Sequence, residues 1–163
     1  MAFRQRVTGP SADTLSARFL VVQLQHSILA VWADTVRGVL KPEEMEGRHE
    51  VVLLGDTYRP TNLARRLSLP SAATHSDSRF VLCHRGQGRC VVAVDQVLGL
   101  TDVRRDDIQP LPALFVGEER VWFRGLFLFQ ERMAVVLNPD WLVHDLESST
   151  PVLQPASSGG VAR

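Results

Sequence analysis

A chain of 163 residues, 45% of them apolar, is long enough for one ordinary domain or two small barrels sharing a core, and too apolar to stay disordered. Eighteen basic side chains balance eighteen acidic ones, so no global field draws the molecule onto nucleic acid or anionic lipid. No apolar run reaches the length of a membrane span, the opening "MAFRQRVTGPSADTLSARF" lacks the apolar core of a secretory signal, and two cysteines cannot make a disulfide framework, so a cytoplasmic protein is expected.

Residues 1–17 are polar and mixed, and read as a flexible N-terminal segment. Strands are then predicted at "RFLVVQLQ" (18–25) and "SILAVWA" (27–33), separated by His26, and at "HEVVLLG" (49–55) and "DTYRPT" (56–61) around a turn. "TNLARRLSLP" (61–70) offers a Thr/Asn cap, leucines at 63 and 67 and a terminating proline, which predicts a short helix. Further strands are predicted at "RFVLCHR" (79–85), "RCVVAVDQVLGL" (89–100), "RVWFRGLFLFQ" (120–130) and "RMAVVLN" (132–138). A second short helix is predicted over "NPDWLVHDLE" (138–147), with Asn138 as N-cap and Pro139 at the first helical position. Residues 148–163, rich in Ser, Pro and Gly, read as a disordered tail. Many short strands with turn signals between them predict a mainly β fold, a sandwich or small barrels, over residues 18–147.

Candidate chemistry is sparse. "CHRGQGRC" (83–90) holds both cysteines and His84, but no second CxxC or HxxxH supplies a full ligand set, and adjacent strand residues point to opposite faces. If Gly86 and Gln87 form a two-residue turn, Cys83 lies opposite Cys90; if Gln87 and Gly88 do, the pairing is lost. Two reduced thiols packed as small apolar groups is the favoured reading, with no metal or other cofactor. There is no GxSxG, P-loop, GxGxxG or HExxH, and the acidic pairs Glu43/Glu44, Asp106/Asp107 and Glu118/Glu119 read as solvated loop charge. No enzyme is expected. Phe123, Phe127 and Phe129 alternate onto one strand face and read as core, as do Trp32 and Trp141. Arg37, Arg59, Arg65 and Arg66 make a possible basic rim, without the aromatic series that single-stranded nucleic acid requires.

Two segments carry a resemblance. "GDTYRPTNLARRLSLP" (55–70) resembles, without a gap, the CheW-domain pattern Gly-x-x-Tyr-Pro-Val-Val-Asp-Leu-Ala-Arg-Leu-Leu-Gly-Leu-Pro, and "CVVAVDQVLGLTDVRRDDIQPLP" (90–112) resembles the family's later Val-Asp-x-Val and Ile-x-Pro-Leu-Pro signature. "RFLVVQL", "VRGVLKP" and "FRGLFLFQERMAVVLNPDWL" match in the expected order, so the resemblance spans nearly all of residues 18–145. It implies two intertwined five-stranded SH3-like β-barrels with short helices and no catalytic activity. It further implies a non-enzymatic adaptor that couples the cytoplasmic tips of bacterial chemoreceptors to the regulatory domain of a CheA-type histidine kinase, located in the cytoplasm and recruited to receptor arrays. The partners are proteins, with no nucleic acid and no membrane insertion.

The departures fall at positions that face partners in the family. Gly38 stands where an acidic residue is frequent, Leu54 in "VLLG" where the family turn carries Arg, Arg59 where it has Pro, and Asn62 where it has Asp. The connection "KPEEMEGRHE" is also shorter than usual. Losing a guanidinium and a carboxylate removes two charge-assisted contacts, each worth about 1.5–3 kcal/mol at a buried interface. The resemblance points to Val36, Arg37, Val39, Leu54, Gly55, Tyr58, Asn62, Arg79 and Phe80 as partner-binding residues, against core packing for the valines. The alternative is a diverged module of the same fold in a motility, polarity or pilus signalling complex.

Overall fold

The computed structural model describes residues 15–70 and 73–144, and these form two five-stranded sheets with short helices between or after their strands. In chain order the strands are β1 (Ser16–Leu24), β2 (Ser27–Trp32), β3 (Val36–Leu40), β4 (Val51–Leu53), β5 (Asp56–Thr61), β6 (Arg79–Arg85), β7 (Gly88–Val94), β8 (Gln96–Arg104), β9 (Phe123–Phe129) and β10 (Arg132–Leu137). One-turn helices follow β3 (α1, Pro42–Met45) and β5 (α2, Leu63–Arg66), precede β9 (α3, Glu119–Trp122) and follow β10 (α4, Pro139–Val143). The first sheet runs β8-β1-β2-β10-β9 and the second β3-β6-β7-β5-β4. Each mixes antiparallel pairs with one parallel pair, β10 with β2 and β5 with β7.

The strand sequences are apolar on successive residues because both faces of each sheet are covered. On β1, Leu20, Val22 and Leu24 turn toward the second sheet, while Ala17, Phe19 and Val21 turn away from it. β2 divides in the same way, with Leu29 and Val31 inward and Ile28 and Ala30 outward. From the second sheet, Val81, Cys83, Cys90, Val92 and Val94 meet the first in a shared layer. Leu82 and Val91, on the opposite face, pack with Met45, Val51 and Tyr58. Leu40 of β3 and Leu53 of β4 reach that same cluster, although these strands are the two edges of the sheet. The second sheet therefore curls around its own core. The first sheet is drawn together by a bridge beyond β8, where Gln109 and Leu126 exchange backbone hydrogen bonds of 2.8 and 3.0 Å.

Several expectations shift by physical detail. β1 starts at Ser16, inside the segment expected to be flexible; residues 1–14 and the expected tail lie outside the described residues. The predicted strand 89–100 is two strands, broken at Asp95, whose carboxylate accepts a 2.7 Å hydrogen bond from the Gln25 backbone N–H. The strand predicted from Arg120 begins at Phe123, after α3. A bulge then pairs Val136 with Gly125 and Leu137 with Phe123, which reverses the alternation. Phe123 accordingly packs in the shared layer, whereas Phe127 and Phe129 lie on the far face. The Glu43/Glu44 pair is not merely solvated: Glu44 accepts a 3.0 Å hydrogen bond from the Lys41 backbone N–H and closes the start of α1.

The two units are tied by exchange of chain. β1 and β2 begin in the first sheet, five strands build the second, three return to the first, and α4 then lies against β6 and β7. Asn138 caps α4 by accepting from the Asp140 backbone N–H at 3.1 Å. Arg66 on α2 donates to the carbonyls of Leu142 at 2.9 Å and Trp141 at 2.6 Å, and its guanidinium lies 4.0 Å from the centre of the Trp141 ring. The approach of α4 requires a glycine at position 88, where a Cβ would stand 2.6 Å from Val143 Cγ2. We predict that Gly88→Ala costs about 1–3 kcal/mol, because the helix must lift away. This is read as a lower denaturant midpoint with an unchanged slope.

Candidate docking surface

The β4–β5 hairpin is closed by Leu54 and Gly55, since Leu53 pairs directly with Asp56. Both loop residues have positive φ, 51° and 87°, the condition of a type I′ turn. Gly55 meets that condition freely; Leu54 does not, because its Cβ crowds the backbone at a cost of about 1–2 kcal/mol. Leu54 is also 94% exposed, and Val52 on β4 is 60% exposed. Charged pairs flank the hairpin: Arg89 lies 3.0 Å from Asp56, and Arg59 lies 3.8 Å from Glu50.

β3 supplies the other edge. Val36 pairs with Cys83 and Gly38 with Leu82, so Arg37 is the extra residue of a bulge. The exposed Arg37 guanidinium turns back to the Asp34 carbonyl at 2.6 Å. Val36 packs against the shared layer and Val39 is exposed. A Cβ built on Gly38 meets nothing within 4 Å, so the missing acidic side chain reflects no steric bar.

Tyr58 is a core residue. It is 2% exposed, packs with Val51, Leu82 and Val91, and meets the His84 ring edge-on at 6.3 Å; burial first, then Asp56, raises its hydroxyl pKa. Asn62 is exposed and caps α2, accepting from the Arg65 backbone N–H at 2.9 Å. Arg79 donates to the carbonyls of Ser76 and Ser78 at 2.9 and 2.7 Å. Phe80 is half-buried against the barrel core and borders an open cleft of about 420 Å³ with Pro42, Met45 and Thr74. The nominated side chains thus divide between two sheet edges, a core and a helix cap.

The "CHRGQGRC" stretch settles into the β6–β7 hairpin with Gly86 and Gln87 as its two-residue turn, and Cys83 stands directly opposite Cys90. Only Gly86 has positive φ, at 59°, consistent with a type II′ turn. Both thiols are free and buried. The neighbouring Cys90 thiol, then burial, pushes the Cys83 pKa well above its ordinary value. Among the described residues no group of three or more His, Cys, Asp or Glu side chains converges on a metal position. The tip is more than exposed decoration. Arg85 binds Asp140 at 2.8 Å and holds its carboxyl below the usual range, so the hairpin reaches the start of α4.

The CheW-like domain model matches residues 18–147, most of the chain. The chain belongs to the CheW-like domain family. No curated protein sequence matches it. Among solved structures it is similar to the scaffolding protein TtCheW from Thermoanaerobacter tengcongensis, with a TM-score of 0.64 and 18% identity, over 76% of this chain and 90% of that one. At that identity the likeness speaks to the CheW fold alone.

Within this CheW-like domain, sequence reasoning expected a turn between the strands 49–55 and 56–61 but counted Leu54 and Gly55 in the first strand, which ends at Leu53. Pairing of Leu53 with Asp56 forces left-handed backbone on Leu54, which a Leu-Gly dipeptide does not announce as Asn-Gly would. We predict that Leu54→Asn stabilises the fold by about 0.5–1 kcal/mol, read as a higher thermal midpoint. The buried cysteines generate a second expectation: neither reacts with a disulfide reagent in the native protein, and both react once guanidinium unfolds it.

Proposed function

We propose that this CheW-like domain is a non-enzymatic adaptor of a bacterial chemosensory system that couples chemoreceptors to a CheA-type histidine kinase. The observation that carries this reading is the family match across residues 18–147. The similar Thermoanaerobacter protein is itself described as a scaffolding protein. An adaptor needs surfaces rather than a reaction centre, and the exposed edges of β3 and β4 offer them. In this reading the first barrel pairs with the kinase regulatory domain, and the groove between the barrels accepts a hairpin of the receptor tip. The adaptor sits in the cytoplasm at receptor arrays; no helix among the described residues is long and apolar enough to cross a membrane.

Leu54 and Gly38 favour a second reading. Both depart from the charged residues that the resemblance leads one to expect, which suits a CheW-like module assigned to another motility, polarity or pilus complex. Co-purification decides between them. The cognate kinase regulatory domain, the receptor tip or both are expected to come down with the full chain. Binding to neither, with a folded protein in hand, sinks the adaptor reading and leaves the second.

A further inference from the structure

Cys83 and Cys90 are nucleophilic groups for which the adaptor reading has no use. They are Cα partners across the β6–β7 hairpin, and both side chains point into the layer between the sheets. The two-residue turn at Gly86 and Gln87 makes Arg85 and Gly88 a pair that exchanges backbone hydrogen bonds. Bonded pairs alternate along an antiparallel ladder, so Cys83 and Cys90 form the next one. The Cα atoms of such a pair stand about 5.5 Å apart, a span that a disulfide bridges without moving the backbone. The two thiols already meet through a side-chain hydrogen bond.

The surroundings tolerate the loss of both thiol hydrogens. Cys90 Sγ donates to the Leu142 carbonyl at 3.5 Å, and that carbonyl also accepts from Arg66 at 2.9 Å, so it keeps a donor when a bridge forms. Cys83 Sγ lies a long 3.9 Å from the Val81 carbonyl, and little goes with that contact. In the native chain the two residues are 0% and 1% exposed, with α4 lying against β6 and β7. An external thiol or disulfide cannot line up with either sulfur there. The unfolded chain exposes both, only a short stretch apart.

We propose that the β6–β7 hairpin is a disulfide site whose state is set while the chain folds and is then sealed by burial. In the unfolded chain the thiolate of one cysteine attacks a small disulfide such as oxidised glutathione, forming a mixed disulfide and releasing one glutathione thiolate. The thiolate of the other cysteine attacks the protein sulfur of that mixed disulfide. The Cys83–Cys90 bond forms and the second glutathione thiolate leaves. Two electrons pass from the cysteines to glutathione, and the two thiol protons pass through water to the released thiolates. Closing so short a loop is fast, so the second attack outruns a second external disulfide. A chain folded among reduced thiols keeps two thiols, and one folded while small disulfides accumulate keeps the bridge. Neither exchanges once α4 is in place. This inference does not rest on the adaptor reading.

The test refolds the full chain from guanidinium in a buffer of reduced and oxidised glutathione, and follows intact mass and thermal midpoint. The main product is expected to be lighter by two hydrogens, to carry no glutathione, and to melt several degrees above the reduced protein. Dithiothreitol leaves the native bridge intact, whereas the same reductant in guanidinium opens it. Cys83→Ser and Cys90→Ser proteins in the same buffer show neither the mass loss nor the higher midpoint. Synthesis of the chain in a cell-free extract held by the same glutathione couple gives the mass readout without a refolding step. A product that keeps two free thiols in excess oxidised glutathione, or that carries glutathione on either cysteine, overturns the inference. So does a bridged protein that melts at or below the reduced one, or a native bridge that dithiothreitol opens as readily as in guanidinium.

Discussion

The packing of one sheet against the other is the constraint on which the remaining structure depends. Leucines and valines from β1, β2, β6 and β7 form a layer that belongs to neither barrel alone. Each fully buried aliphatic side chain contributes roughly 1.5–3 kcal/mol, so this layer outweighs the single ion pairs at the surface. It also dictates composition. A strand covered on both sides must be apolar at every residue, and the polar positions are pushed to turns, edges and helix caps. Those places are where the molecule meets anything else.

That division explains what was legible in the sequence. The boundaries of β5 and β6 emerge as read, since charged or turn-forming residues bracket them. The resemblance in residues 55–70 survives because its hydrophobic positions, Leu63, Ala64 and Leu67, fill the shared layer. What escaped reading was local geometry. The bulge near Phe123 sends this aromatic to a different core from Phe127, and no composition signal precedes it. The break at Asp95 depends on a hydrogen bond from a residue 70 positions away. Tyr58 was nominated for docking by the resemblance alone, yet alternation puts its ring into the barrel interior.

The candidate surface was legible as a set of positions and not as a set of roles. Arg37, Arg79 and Asn62 spend their polar groups on nearby backbone, which leaves them oriented but less available than free charges. Leu54 has no such internal employment. Its exposure is shared by Leu100, Leu114, Val116 and Leu128, and of the family departures the one at Gly38 answers no steric demand.

The crossing of α4 from the first sheet to the second has a mechanical meaning. A chain that opens one sheet, builds the other, returns to the first and then sends α4 across the second offers no single linker among the described residues at which the halves part. Separating the two sheets therefore means opening the whole shared layer together with the Arg66 and Arg85 contacts to α4. The two halves are accordingly expected to open together and not one at a time.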